Sequence, residues 1–208
     1  MPLKEKNIIP IFPLPTVLLP NSSLLLNIYE ERYKKMIIDC LTLNDNFGIC
    51  YINDNKISQY GCTAKITKVE QSSVKGEMDI VVNGWDRFKV EKLIDSGVYL
   101  KAQVVYFTDD YESIDENLTF EVLNLYNELY KVVFKSTIDL ERLQMAIPLL
   151  SFKVAEKIGM LPEERQRLLE IRSENNRLKL IIEFLKKILP QIKDYSKLQE
   201  IINNNGYL

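Results

Sequence analysis

The feature that most constrains this chain is a change of hydrophobic period near residue 108. Before it, apolar residues come in short runs: 8–12, 24–28, 47–52, 62–69, 78–82, 88–94 and 99–107. Such runs read as strands, and turn residues punctuate them at Asn53-Asp54-Asn55, Lys75-Gly76-Glu77, Asn83-Gly84 and Ser96-Gly97. Many short strands at this spacing predict a barrel or a sandwich. One helix interrupts them, because Tyr29, Tyr33, Ile37, Cys40 and Leu41 recur at helical spacing behind Glu30 and Glu31, which suit a helix amino terminus.

After residue 108 the period becomes helical. Ser113 and Glu116 have capping-box spacing, and Leu118, Val122, Leu125, Leu129 and Val132 keep one apolar face to about Lys135. Shorter helices are expected over 147–158 and 161–171, the second with Pro162 in its first turn. Ser173 is placed to cap a last helix whose stripe Leu178, Ile181, Ile182, Leu185, Leu189 ends at Pro190, and the Asn203–Asn205 tail is expected to fray. The expectation is an α+β chain with a β subdomain over 1–108 and an α-helical subdomain over 109–208. The five acids Asp109, Asp110, Glu112, Asp115 and Glu116 at the boundary read as a solvated junction rather than a cation site.

Composition removes whole classes of function. The chain has no histidine, which excludes Ser–His and Cys–His catalytic pairs and His-ligated metals. Its seven glycines never fall in a phosphate-loop pattern. Lys plus Arg is 27 against 29 for Asp plus Glu, and residues 1–107 carry 13 basic and 12 acidic side chains, so neither the chain nor its first half presents the basic excess that nucleic acid demands. No apolar run is long enough to span a membrane, and prolines 10, 13 and 15 break the amino-terminal apolar stretch that a signal peptide would need intact. Cys40, Cys50 and Cys62 form no C-x-x-C and are read as reduced, buried thiols, so a cytoplasmic location is expected.

Nine segments carry a further reading. Ile11-Phe-Pro-Leu-Pro-Thr-Val-Leu-Leu-Pro20, Leu26-Asn-Ile-Tyr-Glu-Glu-Arg-Tyr33, Phe47-Gly-Ile49, Tyr60-Gly-Cys-Thr-Ala-Lys-Ile66, Val82-Asn-Gly-Trp-Asp-Arg-Phe-Lys-Val90 and the stretch 99–105 lie in the first half. Ser151-Phe-Lys-Val-Ala-Glu156, the segment 161–170 and Arg177-Leu178 follow in the second. In this order, over roughly residues 8 to 190, they resemble the amino-terminal substrate-binding domain of Lon proteases, particularly its stand-alone bacterial relatives. Asn21 stands where the family has glycine, Glu31 where it has proline, and Ser173 where it often has aspartate; each replacement is compatible with the local backbone.

The resemblance implies a small open PUA-like β-barrel, of about six or seven short strands with one inserted helix, followed by a carboxy-terminal helical bundle. It implies an apolar groove where barrel and helices meet, and a non-catalytic module that binds unfolded or specific polypeptides. Neither the family's ATPase nor its Ser–Lys protease motif occurs in these 208 residues, and Ser73 beside Lys75 has no dyad geometry implied. No cofactor or metal is expected. The candidate binding residues are Leu14, Val17 and Leu18 in the proline-punctuated loop and Trp85 in the Asn-Gly-Trp-Asp turn. Two readings of Trp85 stand open, an exposed anchor and a plug folded back into the barrel end. Arg32 and Arg87 are read as ion-pairing or carbonyl-capping side chains rather than ligands for an acid. The alternative functions are a self-associating adaptor that docks onto an ATP-dependent protease and, disfavoured by charge, an RNA binder.

Overall fold

A computed structural model describes residues 7–71, 77–138 and 149–205. The apolar runs of the first half become six strands: β1 (Asn7–Leu14), β2 (Ser23–Ile28), β3 (Phe47–Asn53), β4 (Lys56–Gln71), β5 (Met78–Asp95) and β6 (Leu100–Phe107). They form one mixed sheet in the order β2-β5-β4-β3-β1-β6, in which β6 pairs with β5 as well. Only β1 and β3 run parallel among these pairings. The long β5 makes this possible, since Met78–Asn83 face β2 while Arg87–Asp95 face β6. Its interior is a cluster of Ile11, Cys50, Phe88, Val90, Ala102 and Val104. The Phe88 ring occupies space that only a glycine leaves, because a β-carbon on Gly61 would lie 2.4 Å from it.

The helices are α1 (Glu31–Leu43), α2 (Glu116–Phe134), α3 (Leu150–Ala155), α4 (Pro162–Glu170) and α5 (Glu174–Asn205), so the α+β expectation matches the described residues. By internal packing the chain divides into two units, one of residues up to Thr108 together with Leu161–Glu170, the other of Asp109–Met160 and Ile171 onward. The helical segment expected over 161–171 thus groups by packing with the sheet residues. Side-chain hydrogen bonds hold α4 to the sheet: Tyr51 Oη donates to Glu163 Oε1 at 2.5 Å, Gln166 Nε2 to Ser58 Oγ at 2.8 Å, and Arg87 Nη1 to the Leu169 carbonyl at 2.9 Å. Arg87 thus caps a helix-end carbonyl.

Two other expectations change in the sheet unit. The segments 78–82 and 88–94 belong to one strand, and Asn83-Gly84 is not a turn. Cys62 faces Arg87 and Ala64 faces Gly84, so Trp85 and Asp86 together oppose Thr63 as a bulge. Thr63 Oγ1 accepts the Asp86 N–H at 2.9 Å across it. Tyr29 and Leu41, which share the helical spacing of the first helix, are exposed, and Tyr29 precedes that helix. The Asn53–Asn55 turn does join β3 and β4, with Asp54 and Asn55 both left-handed (φ 47° and 60°) as a tight hairpin requires. The turn expected at 75–77 lies mostly outside the described residues, as do Ser73 and the start of the 147–158 helix.

In the second unit α2 and α5 run side by side in the same direction, since Glu121 pairs with Lys186 and Glu128 with Lys193. The cap of α2 is Asp115, which accepts from the Asn117 and Leu118 amides, and not Ser113. Ser173 caps α5 as expected, its hydroxyl accepting the Asn176 amide at 3.1 Å. That helix passes through Pro190 to Asn205 instead of ending there. Pro190 is exposed, so the carbonyl deprived of its partner is on the side open to solvent.

The boundary acids are not a loosely solvated cluster. Asp109 forms a bidentate pair with Arg177 (2.7 and 2.5 Å), Asp110 pairs with Arg172, and Glu112 accepts the Asn175 amide and the Ser173 hydroxyl. Arg177 is fully buried, sits 4.4 Å over the Phe152 ring, and also bonds Glu174 Oε2 and Ser151 Oγ. Burial alone would lower the Arg177 pKa, but the two carboxylates raise it, and burial pushes the Glu174 carboxyl up.

Candidate functional site

A cleft in the sheet unit has a volume of about 740 Å³. The end of β1 supplies one wall with Pro13 and Leu14, continued by Pro15. The end of β2 supplies another with Asn27 and Ile28, continued by Tyr29, Glu30 and Arg32. Ile52 and Ile57 come from the β3–β4 hairpin, and Val98, Tyr99 and Leu100 from the approach to β6. Four chain segments far apart in sequence therefore converge on a mostly apolar, aromatic-rich concavity.

Local packing holds these side chains in place. Phe12 and Tyr33 stack with centroids 4.1 Å apart, and the Arg32 guanidinium lies 4.6 Å over the outer face of Tyr33 while pairing with Glu30 at 2.7 Å. Burial raises the Tyr33 pKa. Tyr99 donates its hydroxyl to Asp39 Oδ2 at 3.0 Å, and burial together with that carboxylate pushes its pKa up to about 12. Asp95 accepts the Gly97 amide at 2.9 Å. Every charged side chain of the lining thus has an internal partner, and Tyr33 and Tyr99 stay neutral at physiological pH.

The four candidate residues do not form one site. Leu14 is half-buried in this cleft. Val17 and Leu18 are only 5% and 2% exposed, which corrects their expected place on an open surface. The loop that carries them is fastened inward: Asn21 adopts a left-handed conformation (φ 58°) and donates its amide to the Gly84 carbonyl at 2.9 Å, while the Gly84 amide returns to Ser22 O at 2.9 Å. Trp85 is 56% exposed, so it is not folded into the sheet interior. It lines a separate pocket of about 260 Å³ with Leu41, Asn44, Asp45, Lys65 and Ile66, and the Lys65 ammonium lies 5.7 Å over its ring.

Reasoning from the sequence missed Tyr29, Val98 and Tyr99. The available signal was an aromatic residue directly after a strand end at Tyr29, which its helical spacing from Tyr33 concealed. Cys40, Cys50 and Cys62 are buried free thiols whose pKa values burial raises to about 11, 12 and 12. Among the described residues no three Cys, Asp or Glu side chains gather to hold a metal ion, and no helix is long and apolar enough to cross a membrane.

Comparison with known proteins gives a consistent picture. The family model for the ATP-dependent protease La (LON) substrate-binding domain matches residues 8–187. A Lon N-terminal domain protein from Xanthomonas campestris is similar in structure, with a TM-score of 0.69 and 22% identity over 85% of this chain and 98% of that one. The N-terminal domain of Mycobacterium avium complex Lon protease gives a TM-score of 0.64 and 17% identity over 86% of this chain and 98% of that one. No curated protein matches.

Proposed function

The chain belongs to the Lon substrate-binding domain family, and from that premise we propose that it grips unfolded polypeptide through the β1–β2 cleft, with no chemistry of its own. The observation that carries this reading is the cleft itself, whose apolar and aromatic lining includes a Tyr29 that is 66% exposed. Covering apolar surface favours binding by about 25 cal/mol per Å² and asks for no particular client sequence. Leu14 and Tyr29 are the primary contacts in this reading. Trp85 is a second, separate contact, and Val17 and Leu18 act from within by fixing the loop behind Leu14. The ring of pairings β5-β4-β3-β1-β6 supports the small PUA-like barrel that the family resemblance implies.

The experiment is titration of the protein into a fluorescently labelled, reduced and carboxymethylated client, read by anisotropy. Saturable binding that Leu14→Asp or Tyr29→Ser abolishes, in variants of unchanged circular dichroism, is the expected outcome. A client that never binds ends the reading. Binding lost in Trp85→Ala alone moves the site to the smaller pocket.

A further inference from the structure

The strand β2 is an edge without the usual defences, and we propose that an extended, uncharged stretch of client polypeptide joins it as an added strand, with the client's side chains entering the adjoining cleft. The proposal rests on the polypeptide-binding reading and specifies its mode.

All six residues of β2 pair with β5, and among the described residues with nothing else. In an antiparallel ladder alternate residues turn both N–H and C=O away from the partner, so β2 offers a row of main-chain donors and acceptors on its other side. Edge strands normally discourage such pairing with a charge, a proline or a bulge. The sequence Ser23-Leu-Leu-Leu-Asn-Ile28 contains no charge and no proline, its register with β5 is uninterrupted, and it holds Leu25 out at 68% exposure. By contrast β1 contains Pro10 and Pro13, which have no amide to offer.

The edge leads directly into the cleft, because Asn27 and Ile28 belong to both and Tyr29, the next residue, lines the cleft. On the facing wall Pro13 and Pro15 likewise lack amides, so the wall does not compete for the client's carbonyls at those positions. Charge complementarity selects the same occupant. Glu30 pairs with the one cation of the lining, Arg32, and Asp95 keeps its charge while accepting the Gly97 amide, so the lining carries one net negative charge, which repels phosphate groups and leaves an uncharged chain as the fitting occupant. Main-chain bonds would supply affinity, and alternate apolar side chains would supply the contact with Leu14 and Tyr29.

The test uses a short blocked peptide alternating leucine and serine, and two versions of it carrying backbone N-methyl groups on one or the other alternate set of residues. The expected result is slowed deuterium exchange at β2 amides when the parent peptide binds. One methylated version should bind at least about tenfold more weakly while the other keeps its affinity. Equal binding of all three peptides without protection of β2 overturns strand addition while leaving polypeptide binding intact. So does a bound peptide that is helical. Protection of β2 that rises with protein concentration and needs no peptide overturns it in favour of a second copy of this chain. Failure of the parent peptide and of the carboxymethylated client alike brings down the underlying reading.

Discussion

The carbonyl oxygen of Leu19 lies so close to the backbone of Gly84 that a β-carbon there would stand 2.1 Å away. This contact, with the two main-chain bonds beside it, seats the 17–20 loop on β5 and buries Val17 and Leu18. The obstructing atom is backbone and has no rotamer to yield. Gly84→Ala should therefore cost about 3 kcal/mol or more of stability, read as a lower urea midpoint, and should weaken client binding by loosening the loop behind Leu14.

Arg177 is the centre of the second unit's polar core. Replacing it with alanine leaves the buried Glu174 carboxylate without its cation and should destabilise by about 3 to 5 kcal/mol. Adding Glu174→Gln should recover part of that loss, because no uncompensated charge then stays buried. Urea unfolding of the single and double variants checks this; an additive double variant would show that the two side chains are not coupled.

Acid should loosen contacts within each unit in the same pH window. Hydrogen bonding to the Tyr51 hydroxyl lowers the Glu163 carboxyl, and bonding to the Asn175 amide and the Ser173 hydroxyl lowers Glu112, both from 4.5. A depressed native value means that the stabilisation is complete above the ordinary carboxyl range. It is then lost as pH falls below 4.5 through the lower native values. Denaturant midpoints measured down the acid limb should show this decline, and Tyr51→Phe should remove the Glu163 share. On the alkaline side Tyr51 and Tyr99 are both held up to about 12, so an absorbance titration should find these phenols ionising after the ordinary ones.

The three thiols offer a test of the sheet interior. With pKa values raised to about 11 to 12 and no exposed sulfur, none should react with a thiol reagent at neutral pH until the chain unfolds. Rapid labelling of the native protein would contradict the burial described.

Trp85 is the single tryptophan and reports on its own pocket. Its emission should be red-shifted and readily quenched by acrylamide, and Trp85→Ala should change stability by less than about 0.5 kcal/mol, because the ring lies outside the core.

Elements that depend on near neighbours were legible from the chain alone. The short apolar run over 47–52 marked β3, Asp54-Asn55 its hairpin, Asn21 a left-handed turn, and Ser173 a helix cap, since each expresses a local backbone preference or a contact within a few residues. The change from strands to helices near Thr108 followed from periodicity for the same reason. Distant partners settled the rest. Asn83-Gly84 has turn chemistry, yet β2, β4 and the Leu19 carbonyl keep it in a strand, where glycine serves close approach instead of a bend. Segment 162–170 has an ordinary helical pattern, and side chains more than a hundred positions earlier assign it to the sheet unit. The cleft is the extreme case: Leu14, Tyr29, Ile57 and Tyr99 share no motif, and only the pairing of their strands in one sheet makes one surface of four separate segments. Local free energies choose helix, strand or turn, whereas burial and strand pairing sum over residues far apart, and a binding surface belongs to that second sum.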